Sequence, residues 1–137
     1  MDSEPQRHGG TEKIIFYKNL TNSIIASSIE VHRTLGPGLL ESAYEECLCH
    51  ELYLKHIPFK RQKPLPLEYK GVTLDCGYRI DIVVDNSVIV EVKCVDRIAP
   101  VHEAQTLTYL KLSGIRVGLI INFYTDVLRR GIKRLVL

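Results

Sequence analysis

Apolar and polar residues alternate most strictly over residues 79–93, Arg-Ile-Asp-Ile-Val-Val-Asp-Asn-Ser-Val-Ile-Val-Glu-Val-Lys. A period of two is the mark of β-strands. The first run sets Ile80, Ile82 and Val84 on one face, against Arg79, Asp81, Val83 and Asp85. In the second, Val88, Val90, Val92 and Cys94 oppose Ile89, Glu91 and Lys93. Asp85-Asn86-Ser87 between them is turn chemistry. A hairpin has to bring both apolar faces to the same side of the sheet, because a slip of one residue would expose one set. A three-residue loop over Asp85–Ser87 meets that condition, pairing Val84 with Val88 and so Asp81 with Glu91. A two-residue loop does not. Two carboxylates directly opposed, with Cβ atoms roughly 5 Å apart, repel as bare neighbours. A divalent cation between them converts the repulsion into a binding site.

Helical periodicity occupies the N-terminal half. One helix is expected after Thr21 as N-cap, with Leu20 and Ile25 as a hydrophobic staple, running through Ile24, Ile29 and His32 to Leu35. Gly36-Pro37-Gly38 stops it. A second helix is expected from Leu39 to His56, with Leu40, Tyr44, Cys47, Leu48 and Leu52 at helical spacing and Pro58 beyond its end. Residues 59–69 contain Pro64 and Pro66, which suits an edge strand. Tyr69-Lys70-Gly71-Val72 reads as a turn into Val72–Cys76. Pro100 opens a helix over Val101–Leu112 that Gly114 closes. Val117–Phe123 is a nearly continuous apolar run, as in a strand buried on both faces. Asp126–Leu137 reads as a short helical turn and a last strand over Ile132–Val136. Residues 1–20 are expected to form a partly disordered tail, with Pro5 and Gly9-Gly10 in its polar part, and residues 21–137 a single domain. This order predicts an α/β fold with a mixed sheet between helices.

Composition adds exclusions. At 137 residues there is room for one core. Net charge is +2, which neither demands nor excludes a nucleic-acid partner; the basic residues do gather locally, at Lys55, Lys60, Arg61, Lys63 and Lys70 and again at Arg129, Arg130, Lys133 and Arg134. Cys47, Cys49, Cys76 and Cys94 show no metal-ligand spacing and read as reduced thiols. With no signal peptide and no apolar run of membrane-spanning length, a cytoplasmic protein with no membrane partner is expected.

The candidate chemistry lies where charge interrupts the apolar runs. Asp81, Glu91 and Lys93 fit either a structural ion-pair network, with Lys93 bridging the acids, or a magnesium site using hard carboxylate oxygens, water and a substrate phosphate. Spacing alone leaves both open. Glu41 shares a helical face with Tyr44 and Leu48 and is a third inward-facing acid or a partner of the helix dipole. His102, Gln105 and Tyr109 form a polar stripe beside Ala104, Leu107 and Leu110. A glycine-rich phosphate loop after a strand is lacking, since Gly36-Pro37-Gly38 follows a helix, and this disfavours a nucleotide-binding domain.

Gly38-Leu39-Leu40-Glu41-Ser42-Ala43-Tyr44 matches a GxxExxY signature, and Asp81 followed by Glu91-Val92-Lys93 matches an acid-then-ExK signature. Over Asn22–Leu137 the chain resembles the GxxExxY proteins of the PD-(D/E)XK nuclease superfamily, with Gln105 and Tyr109 similar to its following helix motif. Ile80 stands where the superfamily name has proline. The resemblance implies a core of helix, three antiparallel strands, helix and strand, and hydrolysis of phosphodiesters in DNA with Mg²⁺ or Mn²⁺. Asp81 and Glu91 would be the metal ligands and Lys93 the water-activating residue. Glu41 would be a further acid and Gln105 an accessory contact, with Tyr44, His102 and Tyr109 as additional candidates. Homodimerisation would enlarge a small footprint on nucleic acid. The alternative is a catalytically silent nucleic-acid- or protein-binding module that keeps the fold.

Overall fold

The computed structural model describes residues 9–137. Helix α1 spans Gly9–Leu35 and α2 spans Glu41–Leu54. Strands β1 (Phe59–Pro64), β2 (Leu67–Tyr69), β3 (Val72–Leu74), β4 (Arg79–Val84) and β5 (Val88–Lys93) follow. Helix α3 (Pro100–Ser113), β6 (Val117–Asn122), a 3₁₀ turn (Leu128–Gly131) and β7 (Ile132–Val136) complete the chain. Five strands make one sheet in the order β1-β4-β5-β6-β7, in which β5 and β6 are parallel and every other pair antiparallel. β1 lies at an edge, where its terminal Pro64 is tolerated. Strands β2 and β3 form a separate small hairpin, the flap, inserted between β1 and β4. Lys70 and Gly71 take positive φ at its tip.

The sheet is covered on both faces. Leu20, Ile24 and Val31 of α1 and Tyr44, Leu48 and Leu52 of α2 pack on Ile82, Val84, Val88, Val90, Val92, Leu119 and Ile121. Opposite, Tyr109 and Leu110 of α3 pack with Leu65, Ile80, Val83 and Ile89. Gly118 of β6 lets α3 approach: a Cβ there would stand 3.1 Å from Thr106 Cγ2. β6 is buried along its whole length, as its apolar run predicts.

Two expectations change. α1 begins at Gly9 rather than after Thr21, and Thr21 sits mid-helix with its hydroxyl donating back to Tyr17 O at 2.8 Å. Its side chain found a carbonyl one turn back, so no cap was needed. Of the expected tail, residues 1–8, Pro5 among them, lie outside the described residues, and Gly9 onward is helical. The second change concerns α3. It buries Thr106, Tyr109 and Leu110 and exposes Ala104 and Leu107, so the face towards the sheet is rotated from the one expected. The small Gly118 seat accepts Thr106, and Tyr109 is drawn inward with it.

Candidate active site

The β4–β5 hairpin has the expected register: Val84 pairs with Val88, Val83 with Ile89 and Ile82 with Val90. Asp85 and Asn86 both adopt left-handed backbone, which these two residue types tolerate, and Ser87 N donates to Val84 O at 2.9 Å. One step beyond Ile82 the ladder ends. Asp81 N donates to Glu91 Oε2 at 3.0 Å, and Val92 N donates to Asp81 Oδ2 at 2.9 Å. Each acid thus fills a place that a backbone carbonyl would take in a continuous ladder.

The ladder between β1 and β4 is interrupted at the same point. Arg61 pairs with Ile82 and Lys63 with Ile80, but Gln62 and Asp81 are out of register contact, and Gln62 holds φ at +50°. Strict alternation would leave Ile80 beside Ile82; instead Ile80 joins Val83 in the core under α3. The face therefore changes at Asp81. A left-handed glutamine is uncommon, and its side chain accounts for it: Gln62 Nε2 donates to Glu45 Oε1 at 2.9 Å and reaches Asp81 Oδ1 at 3.3 Å. Glu45 is buried and also pairs with Arg61 at 3.0 Å.

Electrostatics single out the facing acids. Burial, then the charge of Asp81, pushes the Glu91 carboxyl up to about 8. Burial also raises Asp81, and Glu45 adds to the effect. Lys93 lowers both, but no ion pair joins it to either acid, so the bridging network that spacing allowed is not formed. Lys93 is half-buried at the end of β5, opposite Asn122 of β6. Asn122 fastens the segment beyond it, accepting from Val95 N at 3.1 Å and donating to Val95 O at 2.8 Å.

The other sequence candidates separate into two groups. Glu41 is exposed, and its Oε2 accepts from Cys94 N at 3.0 Å, holding the end of β5 next to Lys93. Tyr44 is fully buried, stacked on Phe123 with centroids 4.4 Å apart; its hydroxyl donates to Gly36 O and accepts from Leu39 N, tying down the loop between α1 and α2. His102 serves the start of α3, where its Nδ1 accepts from Ala99 N at 2.9 Å. These three hold backbone. Tyr109 lies close enough for the charges of Glu91 and Asp81 to raise its hydroxyl, after burial, and it accepts from Gln105 Nε2 at 3.0 Å. Glu45, Gln62 and Asn122 were missed. Glu45 follows buried Tyr44, and Asn122 ends an apolar run, which are readable signals; nothing local marks Gln62.

The model of the PD-(D/E)XK nuclease superfamily matches residues 18–135. The chain belongs to that superfamily. Neither a curated protein nor a solved structure matches it. The superfamily fold agrees with the mixed five-stranded sheet and its helices.

Members typically use a divalent metal, so the donor set deserves the test. Among the described residues no three His, Cys, Asp or Glu side chains gather as a closed metal site. Two facing carboxylates remain. Glu91 Oε1 forms no hydrogen bond and yet is not sealed away, because Ser27 Oγ is the one buried side-chain polar atom without a partner among the described residues. An open Glu91 oxygen next to an Asp81 carboxylate held only by neutral N–H donors, on two acids that resist losing both protons, fits a hard cation that completes its shell with water and phosphate.

Proposed function

We propose that the chain is a divalent-metal-dependent phosphodiesterase that cleaves DNA, one of the small GxxExxY proteins of its superfamily. The observation that supports this best is the crossed pair of amide bonds, Asp81 N to the Glu91 carboxylate and Val92 N to the Asp81 carboxylate, which holds two acids close together with no cationic side chain bonded to either among the described residues. Asp81 and Glu91 would hold Mg²⁺ or Mn²⁺, which supplies charge neutralisation on the phosphate and acidification of water. Lys93, which pairs with no acid among the described residues, orients the attacking water and offsets charge developing on the phosphate. Gln62 steadies Asp81, and Glu41 steadies the strand end that carries Lys93. Gln105 acts through Tyr109. Lys60 and Lys63, exposed or half-exposed on the edge strand beside β4, are suited to the DNA backbone, where phosphate contacts position without reading sequence. No helix among the described residues is long and apolar enough to cross a membrane, and we assign the protein to the cytoplasm. Homodimerisation remains part of the reading as a means of extending the DNA footprint.

The experiment is cleavage of linear, single-stranded and branched DNA with Mg²⁺ or Mn²⁺ by the parent, Asp81→Ala and Lys93→Ala. Cleavage should require the metal and fall by about a thousandfold or more in both variants, about 4 kcal/mol of barrier. Undiminished cleavage by both variants, or a parent that binds DNA but never a divalent ion, returns the molecule to the silent-module reading.

A further inference from the structure

A cleft of about 300 Å³ opens between α3 and the flap, lined by Leu67, Tyr78, Gln105, Thr108, Tyr109 and Leu112. No charged side chain lines it, so a phosphate is not its natural guest. Its walls are aromatic and aliphatic, with an amide and hydroxyls among them, which suits an uncharged planar group bearing hydrogen-bonding edges. Tyr78 meets Tyr109 edge to face at 6.4 Å and stays 44% exposed, so its ring can accept a stacking partner. Gln105 uses its amide NH₂ on Tyr109, which leaves its carbonyl oxygen to accept.

Position sharpens the assignment. Tyr109 lines this cleft and packs with Ile80, the residue that precedes Asp81 on β4. A group seated in the cleft therefore lies against the side chain that packs on the strand carrying Asp81. The flap adds exposed Tyr69, with Lys70 Nζ 5.4 Å from its ring centroid, so aromatic and basic groups interleave on the approach. That combination serves single strands, where bases stack on rings while the backbone follows cations.

We propose that the cleft between α3 and the flap receives an unstacked base of single-stranded DNA whose backbone passes the Asp81–Glu91 pair. This rests on the nuclease reading and narrows its substrate class. A paired base is stacked within its duplex and enters only after unpairing, which costs a few kcal/mol. Single-stranded or frayed DNA is the preferred substrate for that reason.

Binding is measured on the intact protein in EDTA, where a metal-dependent enzyme does not turn over, with labelled single-stranded and duplex oligonucleotides of roughly 12 nucleotides. The single strand should bind more tightly than the duplex, and an internal 2-aminopurine should lose fluorescence on binding. Tyr78→Ala should weaken single-strand binding about tenfold and abolish the fluorescence change, while Tyr78→Phe, which keeps the ring, retains both. Equal affinity for single strand and duplex, unaltered in Tyr78→Ala, overturns the base site; if that parent still cleaves DNA with Mg²⁺, the nuclease reading survives alone. A parent that neither binds nor cleaves any of these oligonucleotides overturns both.

Discussion

The segment Gly38–Tyr44 and the hairpin Asp81–Lys93 both carry a motif, and both are rich in polar groups, but their polar groups end in opposite conditions. Around Tyr44 every motif side chain is spent on backbone: the phenol bridges Gly36 and Leu39, and Glu41 takes the amide of Cys94. On the hairpin the acids satisfy two amides, yet one Glu91 oxygen stays open, its carboxyl is pushed up to about 8, and Lys93 pairs with no acid among the described residues. A satisfied motif builds architecture. An unsatisfied one is held ready for something that binds, and the difference shows only when hydrogen bonds are followed atom by atom.

Breaking the architectural side should give the largest change in stability. Tyr44→Ala removes a fully buried ring stacked on Phe123 and the ties to its loop, and should cost about 4 kcal/mol in urea denaturation. A loss below about 1 kcal/mol together with lost divalent-ion binding would move Tyr44 to the chemical side of the contrast.

The hairpin should answer in the other direction. Glu91 has an ordinary value of 4.5 and a folded-state value raised to about 8. Between those limits the folded chain keeps a proton that the unfolded chain releases, so stability falls as pH rises through the window and levels off above it. Without divalent ions, Glu91→Gln should therefore be more stable than the parent at pH 9, on the order of 2–4 kcal/mol, with the gap closing towards pH 5. Added Mg²⁺ should raise the parent's melting temperature more at pH 8 than at pH 6, where it competes with the proton. Thermal melts across pH decide this, and a Glu91→Gln variant less stable than the parent at every pH would make the pair structural.

Glu41 tests the boundary and should give the smallest effect. Glu41→Gln retains an oxygen for Cys94 N, so stability should change by less than about 0.5 kcal/mol and Mg²⁺ affinity by less than about twofold. A tenfold loss of Mg²⁺ affinity by calorimetric titration would instead bring Glu41 into the metal site.

Much of this was legible before folding. Alternation over Arg79–Lys93 dictated the parity of the register, and the observed pairs Val84–Val88 and Ile82–Val90 follow it; Asp81 and Glu91 lie beyond the last pair and meet through an amide bond to the Glu91 side chain instead. The apolar run of β6 carried its own burial. The face change at Asp81 was not legible, because it needs Gln62 of another strand to abandon extended backbone. Nor was the choice between Glu41 and Glu45. One turn apart on α2, they differ in what the sheet presents to them: the Cys94 amide for one, Arg61 and Gln62 for the other.

By itself, then, the chain order determined most of the elements and the register of the hairpin as far as Ile82 and Val90, because a period is a property of one segment and fixes the sides of that segment. Only tertiary structure decided that Glu45 and Gln62 stand behind Asp81, that Tyr109 turns inward against Ile80, and that a cleft lies between the flap and α3. Those facts depend on which surfaces meet. No periodicity records the partner that will be found across the gap.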